Sequence, residues 1–136
     1  MEADLWTTLS NKMGHRWHAS RVESHSTSPG IPDVDYCMEG FKSNLELKHT
    51  HKKKRPKIRN SQVRWHHRRA EHGGHSLILT HFDLQYEDIY MFHLGKDARR
   101  LAVEDFPYWR GKAIWVFNDG SELDVTILSA ILRNEL

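Results

Sequence analysis

The sequence predicts a mixed β-sheet flanked by helices, an α/β arrangement of the α+β kind, and three observations carry that expectation. Helical and strand periods alternate along the chain: a helix, two or three strands, a helix, then strands and helices again. Such an order places helices against the faces of a sheet. The run Leu77-Ile78-Leu79 is apolar on consecutive residues, as suits a central strand buried on both faces. Finally, 136 residues suffice for one packed core and are too few for two comfortable ones, so one domain over residues 1–136 is expected.

The elements follow in order. Leu5, Trp6, Leu9 and Met13 recur at helical spacing from Ala3 to Met13, and Gly14 stops that helix. His18 to Glu23 reads as extended chain, and the Ser-, Pro- and Gly-rich stretch from Ser24 to Gly30 as a loop. From Ile31 to Met38 the residues alternate, with Ile31, Asp33 and Asp35 on one face and Val34, Tyr36 and Met38 on the other. Glu39-Gly40 makes the turn into a second strand, Phe41 to His49. Successive side chains of a strand point to opposite sides, so Leu45 and Leu47 share one face while Asn44, Glu46 and Lys48 share the other. His51 to Pro56 is a loop, because Pro56 suits neither a central ladder nor a helix interior. Ser61 caps a helix running to about His72, which Gly73-Gly74 ends; its apolar stripe is thin, with Val63, Trp65 or His66, and Ala70. Ser76 to Phe82 and Asp88 to Leu94 are strands, Lys96 to Val103 is a short helix, and Lys112 to Phe117 is a further strand. After a turn at Asn118-Asp119-Gly120, Ser121 to Leu136 closes the chain as a helix with Leu123, Ile127, Leu128, Ile131 and Leu132 on one side.

Composition excludes several classes. No apolar run approaches the roughly 18–20 residues that span a bilayer. Met1-Glu2-Ala3-Asp4 lacks the basic-then-apolar layout of a signal peptide. The single Cys37 excludes an internal disulfide, which fits a reducing compartment, so a soluble, cytoplasmic protein without membrane contact is expected. There is no Gly-x-Ser-x-Gly elbow and no Gly-rich phosphate loop, so neither a serine hydrolase nor a nucleotide cofactor is expected.

The net charge of +2 conceals its distribution. Ten of the 20 Lys and Arg lie between Lys48 and Arg69, a stretch with no Asp or Glu. His49, His51, His66 and His67 add charge there when protonated. A block of one sign set in a more acidic background is the footprint of phosphate binding. Nucleic acid is the expected partner, with Lys52, Lys53, Lys54, Arg55, Lys57, Arg59, Arg64 and Arg68 as its contacts. The histidines at 66–67 and 72–75 lack a Cys pair or a His-Glu-x-x-His pattern. They read as surface groups that raise nucleic-acid affinity at lower pH. Trp65, alone among the tryptophans, is placed to stack on an exposed base.

Phosphodiester hydrolysis needs an activated water and compensation of the charge that builds on the phosphate. Hard cations held by carboxylates supply most of this, and a nearby lysine assists. A compact layout is one carboxylate on a strand, then a carboxylate and a lysine two apart on its neighbour, about 7 Å from each other along one face. Gly30-Ile31-Pro32-Asp33 followed by Leu45-Glu46-Leu47-Lys48 has that layout, with Leu45 and Leu47 fastening the strand from behind.

Pro32-Asp33 and Glu46-Leu47-Lys48 together resemble the signature of the PD-(D/E)xK nuclease superfamily, whose fold is a restriction-endonuclease-like core. Within it, Gly30-Ile31-Pro32-Asp33, the Glu-x-Lys strand and a following helix with Gln62 look most like the VRR-NUC group and small phage nucleases linked to Holliday-junction cleavage. The matching stretch runs from about Arg21 to Leu79, a little under half of the chain.

The resemblance implies Mg²⁺ or Mn²⁺ held by Asp33 and Glu46, with the Leu47 carbonyl as a third ligand. Lys48 would aid water attack, supported by Gln62. A further upstream carboxylate is implied, for which Glu23 is preferred and Glu2 stays open. Asp35 shares the face of Asp33 and is assigned a structural or supporting role. The activity implied is that of a metal-dependent endodeoxyribonuclease selective for branched DNA. A homodimer is expected, because symmetric cuts across a junction need two active centres. Two alternatives stand beside this: a nucleic-acid-binding module without catalysis, and a restriction-like nuclease that reads base sequence. The first gains nothing from gathering carboxylates that repel phosphate, and a chain this short leaves the second little room for a specificity element.

Overall fold

In a computed structural model that describes residues 2–22 and 29–136, the strands form one six-stranded sheet in chain order. β1 (His18–Arg21), β2 (Val34–Met38) and β3 (Phe41–His51) make an antiparallel meander. β4 (Ser76–Asp83) lies parallel to β3, and β5 (Asp88–Leu94) and β6 (Trp115–Phe117) return antiparallel. The sheet is therefore mixed and helix-flanked, as the sequence predicts. The Glu39-Gly40 turn has φ of 49° and 86° at its two central residues, the left-handed pair that a tight hairpin between twisted strands uses. A parallel neighbour needs a crossover, and α2 (Asn60–Glu71) lies in the one between β3 and β4.

One face of the sheet carries Leu45, Leu47, Leu77, Leu79 and Phe92. It packs on Leu5, Leu9 and Met13 of α1 (Glu2–Met13) and on Leu128, Ile131 and Leu132 of α5 (Val125–Leu132). The other face carries Ile78, Phe82, Ile89 and Met91, covered by Val63 of α2, by α3 (Ala98–Leu101) and by Phe106 and Trp109 of α4 (Phe106–Lys112). Since β3 lies inside the sheet and both faces are covered, every residue from Ser43 to Lys48 is buried. Glu46 and Lys48 thus sit under α2 and do not form the solvated side of an edge strand.

Several boundaries differ from the sequence expectation, each for a local reason. β2 begins at Val34, which leaves Asp33 just outside the strand. The cap position of α2 is Arg59, not Ser61, because the Gln62 side chain turns back and accepts the Arg59 N–H at 2.9 Å. The last helix starts at Val125, not Ser121, since Asp124 Oδ1 accepts from the N–H groups of Thr126 and Ile127 at 2.7 and 3.1 Å. α4 is not among the expected elements; its signal is Pro107 in the first turn, where a missing N–H is harmless. Among the described residues, no helix is long and apolar enough to cross a membrane.

Candidate active site

Asp33 is held from two sides. Its carbonyl accepts the Val22 N–H at 2.7 Å, prolonging the β1–β2 ladder by one step. Its Oδ2 accepts the Leu47 N–H at 2.8 Å. The β2–β3 ladder ends where Val34 meets Leu45, so the Asp33 carboxylate bonds β3 where a continued ladder would have done. The N–H and C=O of a strand residue point to the same side, so the Leu47 carbonyl also looks toward this opening at the end of β2. The approach to Asp33 depends on Gly30, whose φ is +89°; a Cβ there would lie 2.1 Å from the Ser61 carbonyl oxygen. Only glycine lets this segment pass so close to the start of α2.

Glu46 and Lys48 lie two apart on one face of β3, 2% and 8% exposed. Gln62, itself buried, reaches down from the first turn of α2 and joins them. Its Nε2 donates to Glu46 Oε2 at 3.2 Å, and its Oε1 accepts from Lys48 Nζ at 2.9 Å. The same oxygen accepts the Arg59 N–H. The amide orientation is thereby fixed, with oxygen toward two donors and nitrogen toward the carboxylate. Charges this deeply buried persist only where hydrogen bonds and counter-charges compensate them.

His66 lies one turn beyond Gln62 on the same stripe of α2 and is fully buried. Its Nδ1 is 2.8 Å from Ser76 Oγ, and its Nε2 is 3.8 Å from Glu46 Oε1. Burial, reinforced by the positive charges of Lys48 and Arg69 and opposed by Asp33, holds its pKa down at about 4. It is neutral at pH 7. Gly95 closes over this pair: a Cβ there would lie 2.0 Å from Ser76 Oγ and 2.4 Å from His66 Nδ1. The expectation that His66 is a surface group is therefore wrong. α2 turns a polar stripe inward because the face of β3 beneath it carries Glu46 and Lys48. The signal in the sequence is the four-residue spacing of Gln62 and His66.

The remaining predicted residues spread around this centre. Lys52, Lys53, Lys54, Arg55, Lys57, Arg59, Arg64 and Arg68 are all exposed. Two of them touch the α3–α4 region: Arg55 donates to the Glu104 carbonyl at 3.1 Å, and Lys53 Nζ lies 5.3 Å from the Phe106 ring centre. The Arg69 guanidinium packs 4.5 Å from the Trp65 ring centre, which gives that ring an intramolecular partner. Asp35 is exposed on β2, opposite Asn44. Glu23 lies outside the described residues, and Glu2 starts α1.

The donor set suits a hard divalent cation. Asp33, Glu46 and the Leu47 carbonyl offer only oxygen, the ligand type of Mg²⁺ and Mn²⁺. Two carboxylates against one lysine leave a negative balance in a place largely shut off from water, which a dication would neutralise.

No family model matches the chain, and no curated protein matches it. Among solved structures, Hjc, a Holliday junction resolvase from the archaeal hyperthermophile Archaeoglobus fulgidus, aligns with 70% of this chain and 74% of its own, at 19% identity and a TM-score of 0.45.

Proposed function

We propose that this chain is a single PD-(D/E)xK-type nuclease domain, a cytoplasmic, homodimeric endodeoxyribonuclease that hydrolyses phosphodiester bonds of branched DNA with Mg²⁺ or Mn²⁺. The observation that carries the reading is the buried Glu46–Gln62–Lys48 bridge beside the anchored carboxylate of Asp33. A module that only binds nucleic acid has no use for a carboxylate sealed beneath its own basic helix. The preference for branched DNA rests on the likeness of the Gly-Ile-Pro-Asp and Glu-x-Lys segments to junction-cleaving nucleases.

Asp33, Glu46 and the Leu47 carbonyl would hold the metal, which when bound supplies positive charge at the phosphate and a more acidic water. Lys48 would offer its ammonium to orient the attacking water and stabilise the developing charge. Gln62 fixes that ammonium by its oxygen and the Glu46 carboxylate by its nitrogen. The exposed cations from Lys52 to Arg68 hold the flanking phosphates. Glu23 would complete the metal site. Supporting this choice, its chain neighbour Val22 is hydrogen-bonded to Asp33.

The test compares duplex, nicked, flap and four-way DNA in Mg²⁺, Mn²⁺ or EDTA, with Asp33→Asn, Glu46→Gln and Lys48→Ala beside the parent. Cleavage of four-way DNA should require the metal and be abolished in each variant, while Asp33→Asn still binds DNA. Near-parental activity in any two variants overturns the assigned centre. Binding without metal-dependent cleavage of any substrate makes the chain a binding module.

A further inference from the structure

On the opposite face of β3 lies a second cluster that the nuclease reading does not use. Side chains alternate along the strand, so His49 and His51 point away from Glu46 and Lys48. β4 runs parallel in register, pairing His51 with Asp83, and this brings the Asp83 carboxylate to the same face. His49 Nε2 and His51 Nδ1 lie 3.6 and 3.7 Å from Asp83 Oδ2, and the three residues offer one ligand atom each within 4.8 Å of one another. With Zn–N and Zn–O lengths of about 2.0–2.2 Å, neighbouring ligands of a tetrahedral ion stand about 3.4 Å apart. Two of the spacings are already near that value, and the exposed His51 ring has room to close the third.

The His49 side chain is only 8% exposed, with its ring edge-on to His51 and His81 at 4.9 and 5.0 Å. His81 Nε2 in turn bonds Asp88 Oδ1 at 2.8 Å. One ligand is thus fixed by packing, while His51 and Asp83 face a surface recess with Lys52, Leu84 and Gln85.

We propose that His49, His51 and Asp83 form a site for a borderline transition-metal ion of the Zn²⁺ type, separate from the carboxylate centre under α2. Two imidazoles and one carboxylate select such an ion over Mg²⁺, which takes oxygen ligands. The location gives the ion a structural task. Lys52 N–H bonds the Asp83 carbonyl at 2.9 Å, and the basic segment leaves the sheet at this point. A bound ion would clamp the ends of β3 and β4 together and fix the base of that segment.

The experiment is a titration of the metal-stripped full chain with Zn²⁺ in excess Mg²⁺, which occupies oxygen-only sites, followed by heat and by the visible absorption of Co²⁺ as a substitute. One Zn²⁺ per chain is expected. His51→Ala changes an exposed side chain and Asp83→Asn keeps its shape, so circular dichroism should show both folded. Each should weaken Zn²⁺ binding by at least about tenfold, since loss of even an outer partner of a ligand costs that much. The exposed His67→Ala, on α2, should leave binding unchanged. No saturable Zn²⁺ binding in excess Mg²⁺, or parental affinity in either site variant, overturns the assignment.

Discussion

Acid should destabilise this protein through His93 over a definite pH window. The ring is fully buried on β5 against Trp109, at 4.9 Å between ring centres, and its Nε2 donates to the Trp109 carbonyl at 2.6 Å. Among the described residues Nδ1 has no hydrogen-bond partner, so a proton added there would be buried without an acceptor. Burial, opposed by the Trp109 carbonyl and Asp97, holds the pKa at about 4, against 6.5 for an ordinary histidine. The folded value is the lower one, so the unfolded chain takes up the proton first. The stability this group contributes is complete above about pH 6.5, falls as the pH drops, and is exhausted once the pH has passed through about 4. At pH 4.5 the loss comes to roughly 2–3 kcal/mol at 1.36 kcal/mol per unit of separation. The variant is His93→Gln, whose amide can still donate to the Trp109 carbonyl but does not titrate. Urea unfolding of parent and variant in EDTA from pH 7.5 to 4.5 compares the pH slopes, whatever the substitution costs at pH 7. His66, also held near 4, contributes in both proteins and cancels from the difference. The stability of the parent should fall more steeply than that of the variant by the stated amount; parallel curves would refute the reasoning.

Three further outcomes are expected. Replacing Lys52, Lys53, Lys54 and Arg55 by serine should weaken binding to every DNA tested and flatten the plot of log affinity against log salt by about 0.9 for each phosphate no longer neutralised; an unchanged slope would show these side chains to be solvated surface. Gly30→Ala forces a Cβ onto the Ser61 carbonyl and should cost at least about 1–3 kcal/mol in thermal or urea unfolding, with cleavage falling further because Asp33 is carried on that segment. Glu23→Gln should slow cleavage at least about tenfold, or roughly 1.4 kcal/mol of barrier, and raise the Mg²⁺ requirement, whereas Glu2→Gln should be nearly silent; initial rates against Mg²⁺ concentration decide between the two, and the reverse pattern reassigns the ligand.

The hairpin that carries Asp33, Glu46 and Lys48 is legible in the sequence because its information is local. Alternation in Phe41 to His49 sets the faces, and Glu39-Gly40 sets the turn. What is not legible depends on where elements meet. That Asp33 bonds the Leu47 N–H follows from β2 stopping short of β3, which no periodicity in either strand reveals. His66 reads as solvent-facing beside Arg64, Arg68 and Arg69, and becomes a core residue only because the face of β3 beneath α2 is polar. The His49–His51–Asp83 cluster needs the parallel register of β3 and β4, which joins residues far apart in the chain. α4 is obscured by Pro107 and Gly111, one a starter and the other a breaker of helices.

Gln62 has a mechanical consequence. The same oxygen that holds Lys48 also closes the first turn of α2, so the helix cannot slide or rotate along its axis without disturbing the charged bridge. Arg64 and Arg68 stand on that helix, about 6 Å apart along it at roughly 1.5 Å per residue. Their distances to the carboxylates are therefore built into a rigid rod. On the proposed activity, the helix serves as a ruler: where the strand is cut, counted in phosphates from those two arginines, is set by the register of α2 and not by the basic segment before it.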